Sequence, residues 1–402
     1  MRLADRMTSI GTESAFEAVA RARALEAGGR SVIHLEIGEP DFDTPANVRE
    51  AAKRAIDAGK THYPPFPGIP ELRAAIAADT AVRRGFAPDP ANVFVTVGGK
   101  GVMYYAILAL VNPGDEVIVP DPGYPIYESV TRFVGGVPVA IPIRQENAFR
   151  LDPDELASLV TARTRLIVIN SPANPTGGVL TREDLERVAE IALRHDLPVL
   201  SDEIYSRILY DGGEHSSIAA LPGMAERTIV LDGFSKTYAM TGWRLGYGIV
   251  PPDLAPGFGR LLINSVSGAT TFAQHGAVEA LNGPQGDVDA MVAEFAARRD
   301  LVVDGLNATP GFRCLRPAGA FYAFPEISGT GLTGAELAER LLNDAGVSVL
   351  AGTAFGTVAT NHIRLSCANS RENLEEALRR IRTVVDPLVV AGAGEAGEAG
   401  SR

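Results

Sequence analysis

Cysteine is nearly absent. Cys314 and Cys367 are the only two in 402 residues. That count supports neither a disulfide framework nor a cysteine-built metal site, so both thiols are expected to be reduced and buried. Long apolar runs are missing too: none approaches the roughly 18 residues of a membrane helix. The opening MRLADRMTSI has no apolar stretch of signal-peptide length. A cytoplasmic location is the expectation. Positive charge is in deficit, with 37 Lys and Arg against 49 Asp and Glu and a net charge of -12. An acidic chain is a poor partner for nucleic acid or an anionic membrane. What remains is ordinary globular material, 46% hydrophobic and 21% charged, in a chain long enough for one to three domains.

Apolar periodicity organises the chain. Residues 12–28 carry Ala15, Phe16, Val19 and Ala20 at helical spacing and stop at Gly28-Gly29. Thr44-Pro45 reads as an N-cap followed by proline, opening a helix that runs to Gly59. THYPPFPGIP, residues 61–70, is too proline-rich for regular structure. A helix follows from Glu71 to about Arg84. From Val93 short apolar runs alternate with helical stretches: VFVTV, a helix from Val102, EVIVP, a helix from Tyr124, VPVAIP, a helix at 153–160, RLIVIN, a helix at 181–195, LPVLSD, TIVLD and LGYGIV. That alternation predicts an α/β protein with a mostly parallel sheet flanked by helices. Ligands of such sheets sit beyond the carboxyl ends of the strands. Gly98-Gly99-Lys100, Asn170 to Pro175, Asp202 and Lys236 should therefore share one edge. After Pro284 a long helix precedes shorter units, expected to form a smaller α+β domain. The predicted division is 1–45 joining the small domain, 46–283 large, 284–388 small, and 389–402 a disordered Gly/Ala/Glu tail.

The stretch TIVLDGFSKTYAMTGWRLGYG, residues 228–248, stands apart. An apolar strand breaks into the small turn Gly233-Phe234-Ser235, then comes Lys236, then Arg244 eight residues later. A lysine in a loop after a strand is ordinarily a solvated side chain. An amine with a fixed cation nearby also suits pyridoxal phosphate, whose aldehyde condenses with lysine while a cation holds the phosphate. Gly98-Gly99-Lys100 lies between a strand and a helix, where free N–H groups can face an anion. Asp202 alone could as readily be a helix cap, and Asn174-Pro175 alone an ordinary turn.

Together these motifs resemble the class I aminotransferases of pyridoxal-phosphate fold type I, in the branch similar to prokaryotic aspartate aminotransferases. The likeness spans roughly residues 5–385. GFSKTYAMTGWRLG matches the cofactor-lysine pattern position for position, and LEIGEPDFDTP, THYPPFPGIPELR, VTVGGK, NSPANPTGG, SDEIY and HIRLS follow in family order. The resemblance implies that Lys236 binds the cofactor aldehyde and then moves the substrate proton. Asp202 would pair with the pyridine nitrogen, Tyr205 and Asn174 with the ring oxygen. Tyr124 would stack on the ring. Gly99, Lys100 and Arg244 would hold the phosphate, with Tyr63 reaching in from a second copy, which implies a homodimer. Arg364 would fork onto the substrate α-carboxylate beside the Gly38 backbone and Asn174, and Lys100 could take a distal carboxylate. That favours aspartate or glutamate with a 2-keto acid acceptor; no metal is implied.

Departures are equally specific. Gly233 stands where the family often has serine, removing one phosphate hydroxyl, so weaker anchoring is expected. Tyr124 stands where aspartate-specific relatives carry tryptophan, and Gly101 to Tyr105 lack the usual glutamine, leaving specificity open. A lyase, oxidase or tailoring enzyme would share every cofactor residue. A cofactor-sensing regulator would need a basic DNA-binding segment, which the first residues lack.

Overall fold

A computed structural model describes residues 1–11 and 14–399, with side chains as far as residue 389. The chain opens with α1 (Ser14–Ala27), the two-residue strand β1 (Ile33–His34), α2 (Ala46–Asp57) and α3 (Pro70–Arg84). The alternating region follows: β2 (Val93–Val97), α4 (Gly99–Leu110), β3 (Glu116–Asp121), α5 (Ile126–Phe133), β4 (Val137–Pro142) and α6 (Pro153–Leu159). It continues through β5 (Thr164–Asn170), α7 (Arg182–Arg194), β6 (Val199–Asp202), β7 (Thr228–Gly233) and β8 (Leu245–Ile249). The remainder is α8 (Ala255–Ser265), α9 (Thr271–Asn282), α10 (Gly286–Asn307), β9 (Tyr322–Ala323), α11 (Gly334–Arg340), β10 (Val347–Ser348), β11 (Leu350–Ala351), β12 (Ile363–Ser366) and α12 (Arg371–Ala399).

Seven strands form the main sheet in the order β2-β8-β7-β6-β5-β3-β4. Every residue of β6, β7 and β8 is buried, as expected of strands covered on both faces. The pairings of β3 with β4 and β5, of β5 with β6 and of β6 with β7 are parallel, whereas β8 runs antiparallel to both β7 and β2. This reversal positions the site. It brings the start of β8, and Arg244 just before it, to the edge where β2, β5, β6 and β7 end.

Local chemistry explains most element ends. Thr181 and Asp184 close a capping box on α7. Asp152 caps α6. Pro70 starts α3, and Gly85, with φ of 77°, ends it in the left-handed region. Three expectations need correction. Thr44 does not cap α2; its hydroxyl donates to the Ala239 carbonyl at 2.7 Å instead. The helix expected from Val102 begins at Gly99, and the one expected from Tyr124 begins at Ile126. The backbone of α12 is helical as far as Ala399, within the low-complexity end. Thr12, Glu13 and residues 400–402 lie outside the described residues, so that part of the predicted first helix and of the predicted tail does too.

The N-terminal strand β1 pairs in parallel with β10. Leu35 donates to Ser348 and accepts from Ser366. Ile33 and Leu35 enter one apolar core with Phe295 of α10, Leu365 of β12 and Ile381 of α12. The N-terminal segment is thus packed among C-terminal elements, and the chain crosses the mouth of the main sheet between the two. Both cysteines are buried free thiols. Among the described residues no helix is long and apolar enough to cross a membrane.

Candidate functional site

A cavity of about 450 Å³ opens at the carboxyl edge of the sheet. Gly38, Gly99, Lys100, Tyr124, Asn174, Asp202, Tyr205, Lys236, Arg244 and Arg364 all line it. These residues come from seven separate stretches of chain, and the strand ends converge them. Tyr63 does not line this cavity and is 92% exposed.

Lys236 follows β7 by three residues. Its Nζ donates to the Gly38 carbonyl and lies 5.9 Å from the Phe321 ring centroid. Asp202 ends β6 and is buried. Its Oδ2 accepts from the Tyr127 hydroxyl at 2.6 Å and its Oδ1 from the Ile204 N–H at 3.2 Å. Burial pushes its carboxyl up to about 6, against the pull of those two donors. The carboxylate therefore also caps the following turn, which is not a helix. Tyr205 accordingly does not stack above Asp202 at helical spacing. Its hydroxyl lies 2.6 Å from that of Tyr322, and burial raises its phenol well above the usual range.

Arg364, on β12, is buried and faces the cavity. Its guanidinium donates to Asn174 Oδ1 at 3.0 Å and to the Glu36 carbonyl. The Tyr322 and Phe355 rings hold it at 4.5 and 4.8 Å. Among the described residues its Nε has no hydrogen-bond partner. A buried, ring-clamped cation with a spare donor is suited to a planar carboxylate. Asn174 is fixed in turn by its own N–H, which donates to Asn170 Oδ1 at 2.8 Å.

At the other end of the cavity three backbones meet. Gly98, with φ of 72°, precedes the first turn of α4. A Cβ there would lie 2.6 Å from the Arg244 guanidinium. A Cβ on Gly246 would lie 2.4 Å from the Gly99 nitrogen. Arg244 itself has φ of 54° and anchors to the Thr241 carbonyl at 2.8 Å. Helix N–H groups, a guanidinium and the absence of side chains make a cradle for an anion. The same packing explains Gly233: a Cβ there would stand 2.9 Å from the Gly246 Cα. The departure at this position keeps β7 close to β8.

Lys100 lies over the Tyr124 ring at 5.8 Å, and Tyr124 packs edge-on to Tyr127. Sequence reasoning missed Tyr127, Tyr322 and Phe355. Tyr127 follows Tyr124 by three residues, a spacing that signals a shared helical face. Tyr322 and Phe355 read as plain core aromatics and carry no comparable signal.

Comparisons with known proteins agree on one family. The family model described as aminotransferase class I and II matches residues 30–381. The aspartate aminotransferase of Pyrococcus abyssi is 43% identical over 364 residues, covering 90% of this chain and 93% of that protein. The arginine–pyruvate transaminase of Pseudomonas aeruginosa is 44% identical over 361 residues, covering 90% and 92%. Among solved structures, the Thermus thermophilus aspartate aminotransferase with maleate has a TM-score of 0.92 at 40% identity, covering 96% of this chain and all of that one.

Proposed function

The chain belongs to the class I and II aminotransferases, and on that premise we propose that Lys236, Asp202 and Arg364 carry out amino transfer in the cavity at the sheet edge. The enzyme is a transaminase, moving an amino group between an amino acid and a 2-keto acid. Pyridoxal phosphate is the cofactor this family implies, and the residues present fit it. The Gly98, Gly99 and Gly246 cradle with Arg244 suits its phosphate, and buried Asp202 suits its ring nitrogen. When bound, the cofactor supplies an aldehyde and an electron-accepting ring.

The chain's own residues do the rest. Lys236 Nζ takes the proton from the substrate α-carbon and returns one in the reverse half-reaction. Asp202 would hold positive charge on the ring nitrogen, its carboxylate oriented by the Tyr127 hydroxyl. Tyr205 and Asn174 would orient the ring oxygen, Tyr124 would cover the ring, and Lys100, at the start of α4, would help hold the phosphate. Arg364 binds the α-carboxylate next to Gly38 and Asn174. We take the donor to be aspartate or glutamate, supported by Lys100 within the cavity and by the names of several relatives. The arginine–pyruvate relative favours a different donor, so the assay includes arginine.

The proposal extends to a homodimer in which Tyr63 enters the partner's site, to the large and small domains at 46–283 and 284–388, and to a cytoplasmic location, for which the two free thiols argue. What carries the reading is the meeting of Lys236, Asp202 and Arg364 in one cavity. The test adds each amino acid to the loaded enzyme without a keto acid. One equivalent of keto acid per subunit is expected, and none from Lys236→Ala. Unchanged release from that variant would remove the assignment. Repeated turnover without an acceptor, or oxygen uptake, would move the chemistry to a lyase or an oxidase.

A further inference from the structure

Behind the cavity lies a buried ionic cluster that no step above uses. Arg84, the last residue of α3, has a side chain only 2% exposed. Its Nε donates to Glu203 Oε2 at 2.6 Å. Its second terminal nitrogen donates to Asp232 Oδ2 and to Ser206 Oγ. Glu203 is the residue after Asp202. Asp232 sits on β7, four residues before Lys236. One guanidinium therefore bridges the strand end that presents the aspartate to the strand end that presents the lysine.

The cluster is otherwise closed. Glu203 also accepts from Ser201, Ser217 and His215, the last at 2.8 Å. Asp232 also accepts from Ser206, Tyr247 and the Gly233 N–H. Two carboxylates so close to Asp202 disfavour a third negative charge, and both act on it in that direction. Arg84 is the cation that touches both carboxylates, while His215 also faces Glu203.

We propose that Arg84 is a positioning residue for the site: it fixes the spacing of Asp202 and Lys236 and cancels the two neighbouring carboxylates, so that Asp202 stays ionised at neutral pH. The proposal rests on the reading of Asp202 as the partner of the cofactor ring nitrogen. The groups that face Asp202 are Tyr127 on α5, Glu203 and Tyr205 on its own turn and Asp232 on β7, while Lys236 shares its cavity. Arg84 reaches Asp202 only through Glu203 and Asp232. That indirectness makes a prediction with two signs. Removing Arg84 should make Asp202 harder to ionise, and removing the charge of Asp232 should make it easier.

The experiment measures the dissociation constant of pyridoxal phosphate from the full-length protein by equilibrium dialysis between pH 5 and 9. In the native protein affinity should fall as pH drops through about 6, where Asp202 takes up its proton. Arg84→Gln should move that midpoint up by about one pH unit, the low end for a nearby charge. Asp232→Asn should move it down, and Arg84→Lys should fall between Arg84→Gln and the native protein. A merely structural role would weaken binding in both variants without displacing the midpoint in opposite directions. Shifts of the same sign, or none, overturn the proposal. If Arg84→Gln does not fold, Asp232→Asn decides alone, an unmoved or raised midpoint overturning the idea. Asp202→Asn separates the two readings. It should remove the part of the pH dependence that Asp202 contributes, leaving that of the cofactor phosphate and the lysine amine, and an unchanged profile there removes the role of Asp202 and the proposal with it. An Asp202→Asn profile that has lost the Asp202 contribution, with unmoved Arg84 and Asp232 variants, removes only the role of Arg84.

Discussion

Asp202 should cost the empty protein stability, and the cost can be worked out. Burial raises its carboxyl from 3.8 to about 6. A group whose folded-state value is raised supports folding through its protonated form. That support is complete below 3.8 and is lost as pH rises through about 6. At about 1.4 kcal/mol per pH unit, the ionised carboxylate opposes folding by roughly 3 kcal/mol at pH 8. Asparagine has the same shape and carries no charge. Its oxygen can still accept from Ile204, but its amide would meet the Tyr127 hydroxyl, which must turn round to accept. That rearrangement costs about 1 kcal/mol. The cofactor-free Asp202→Asn variant should therefore be about 2 kcal/mol more stable than the native chain at pH 8, and no more stable at pH 4. Urea unfolding of both proteins, stripped of cofactor so that binding adds nothing, at pH 4, 6 and 8 and one protein concentration, measures the difference. A variant equal to or weaker than the native chain at pH 8 would refute the account of Asp202 as a charge held against its desolvation.

Two further substitutions probe the ends of the cavity. Arg364→Lys keeps the charge but loses the planar fork that donates to Asn174 and Glu36 between two rings. At about 1.5–3 kcal/mol per charge-assisted bond, KM for the amino acid should rise about a hundredfold, and a rise under threefold in steady-state assays would remove Arg364 from carboxylate binding. Gly246→Ala puts a Cβ 2.4 Å from the Gly99 nitrogen and 2.5 Å from the Gly98 carbonyl carbon. Strand β8 must then move off the start of α4, at about 1–3 kcal/mol, and the cofactor should be lost on gel filtration. Full retention with an unchanged unfolding midpoint would show that the cradle tolerates a side chain.

Most strands of the main sheet were readable because they are buried on both faces and so appear as short apolar runs; the edge strand β4 is largely exposed or half-buried. The order of their ends was readable for the same reason, which is why Lys236, Asp202 and Asn174 could be placed on one edge. Helices α8 and α9 drew no prediction. Gly257 and Gly259 weaken the helical propensity of α8, and a Cβ at 259 would press on the Phe66 ring at 3.1 Å. Tertiary packing holds that helix, and no local pattern records it. Thr44 had the right chemistry for a cap and used it 195 residues away, on Ala239. Arg84 ended a helix as a basic residue ordinarily does, while its partners lie 119 and 148 residues further on.

Gly233 shows why such losses are physical. Read alone, a glycine in place of serine is a missing hydroxyl and a weaker phosphate site. In the folded chain its Cα faces the Cα of Gly246, and Gly246 in turn faces the backbone of Gly98 and Gly99. A Cβ at 233 would stand 2.9 Å from the Gly246 Cα, so a side chain there requires β7 and β8 to shift slightly apart next to Arg244. The change that removes one donor thus keeps a cation and a helix N-terminus in register, and the balance depends on contacts between backbones that a one-dimensional pattern does not contain. The proposed anion site is built by close approach more than by side chains, and the positions where a Cβ would meet backbone mark it out.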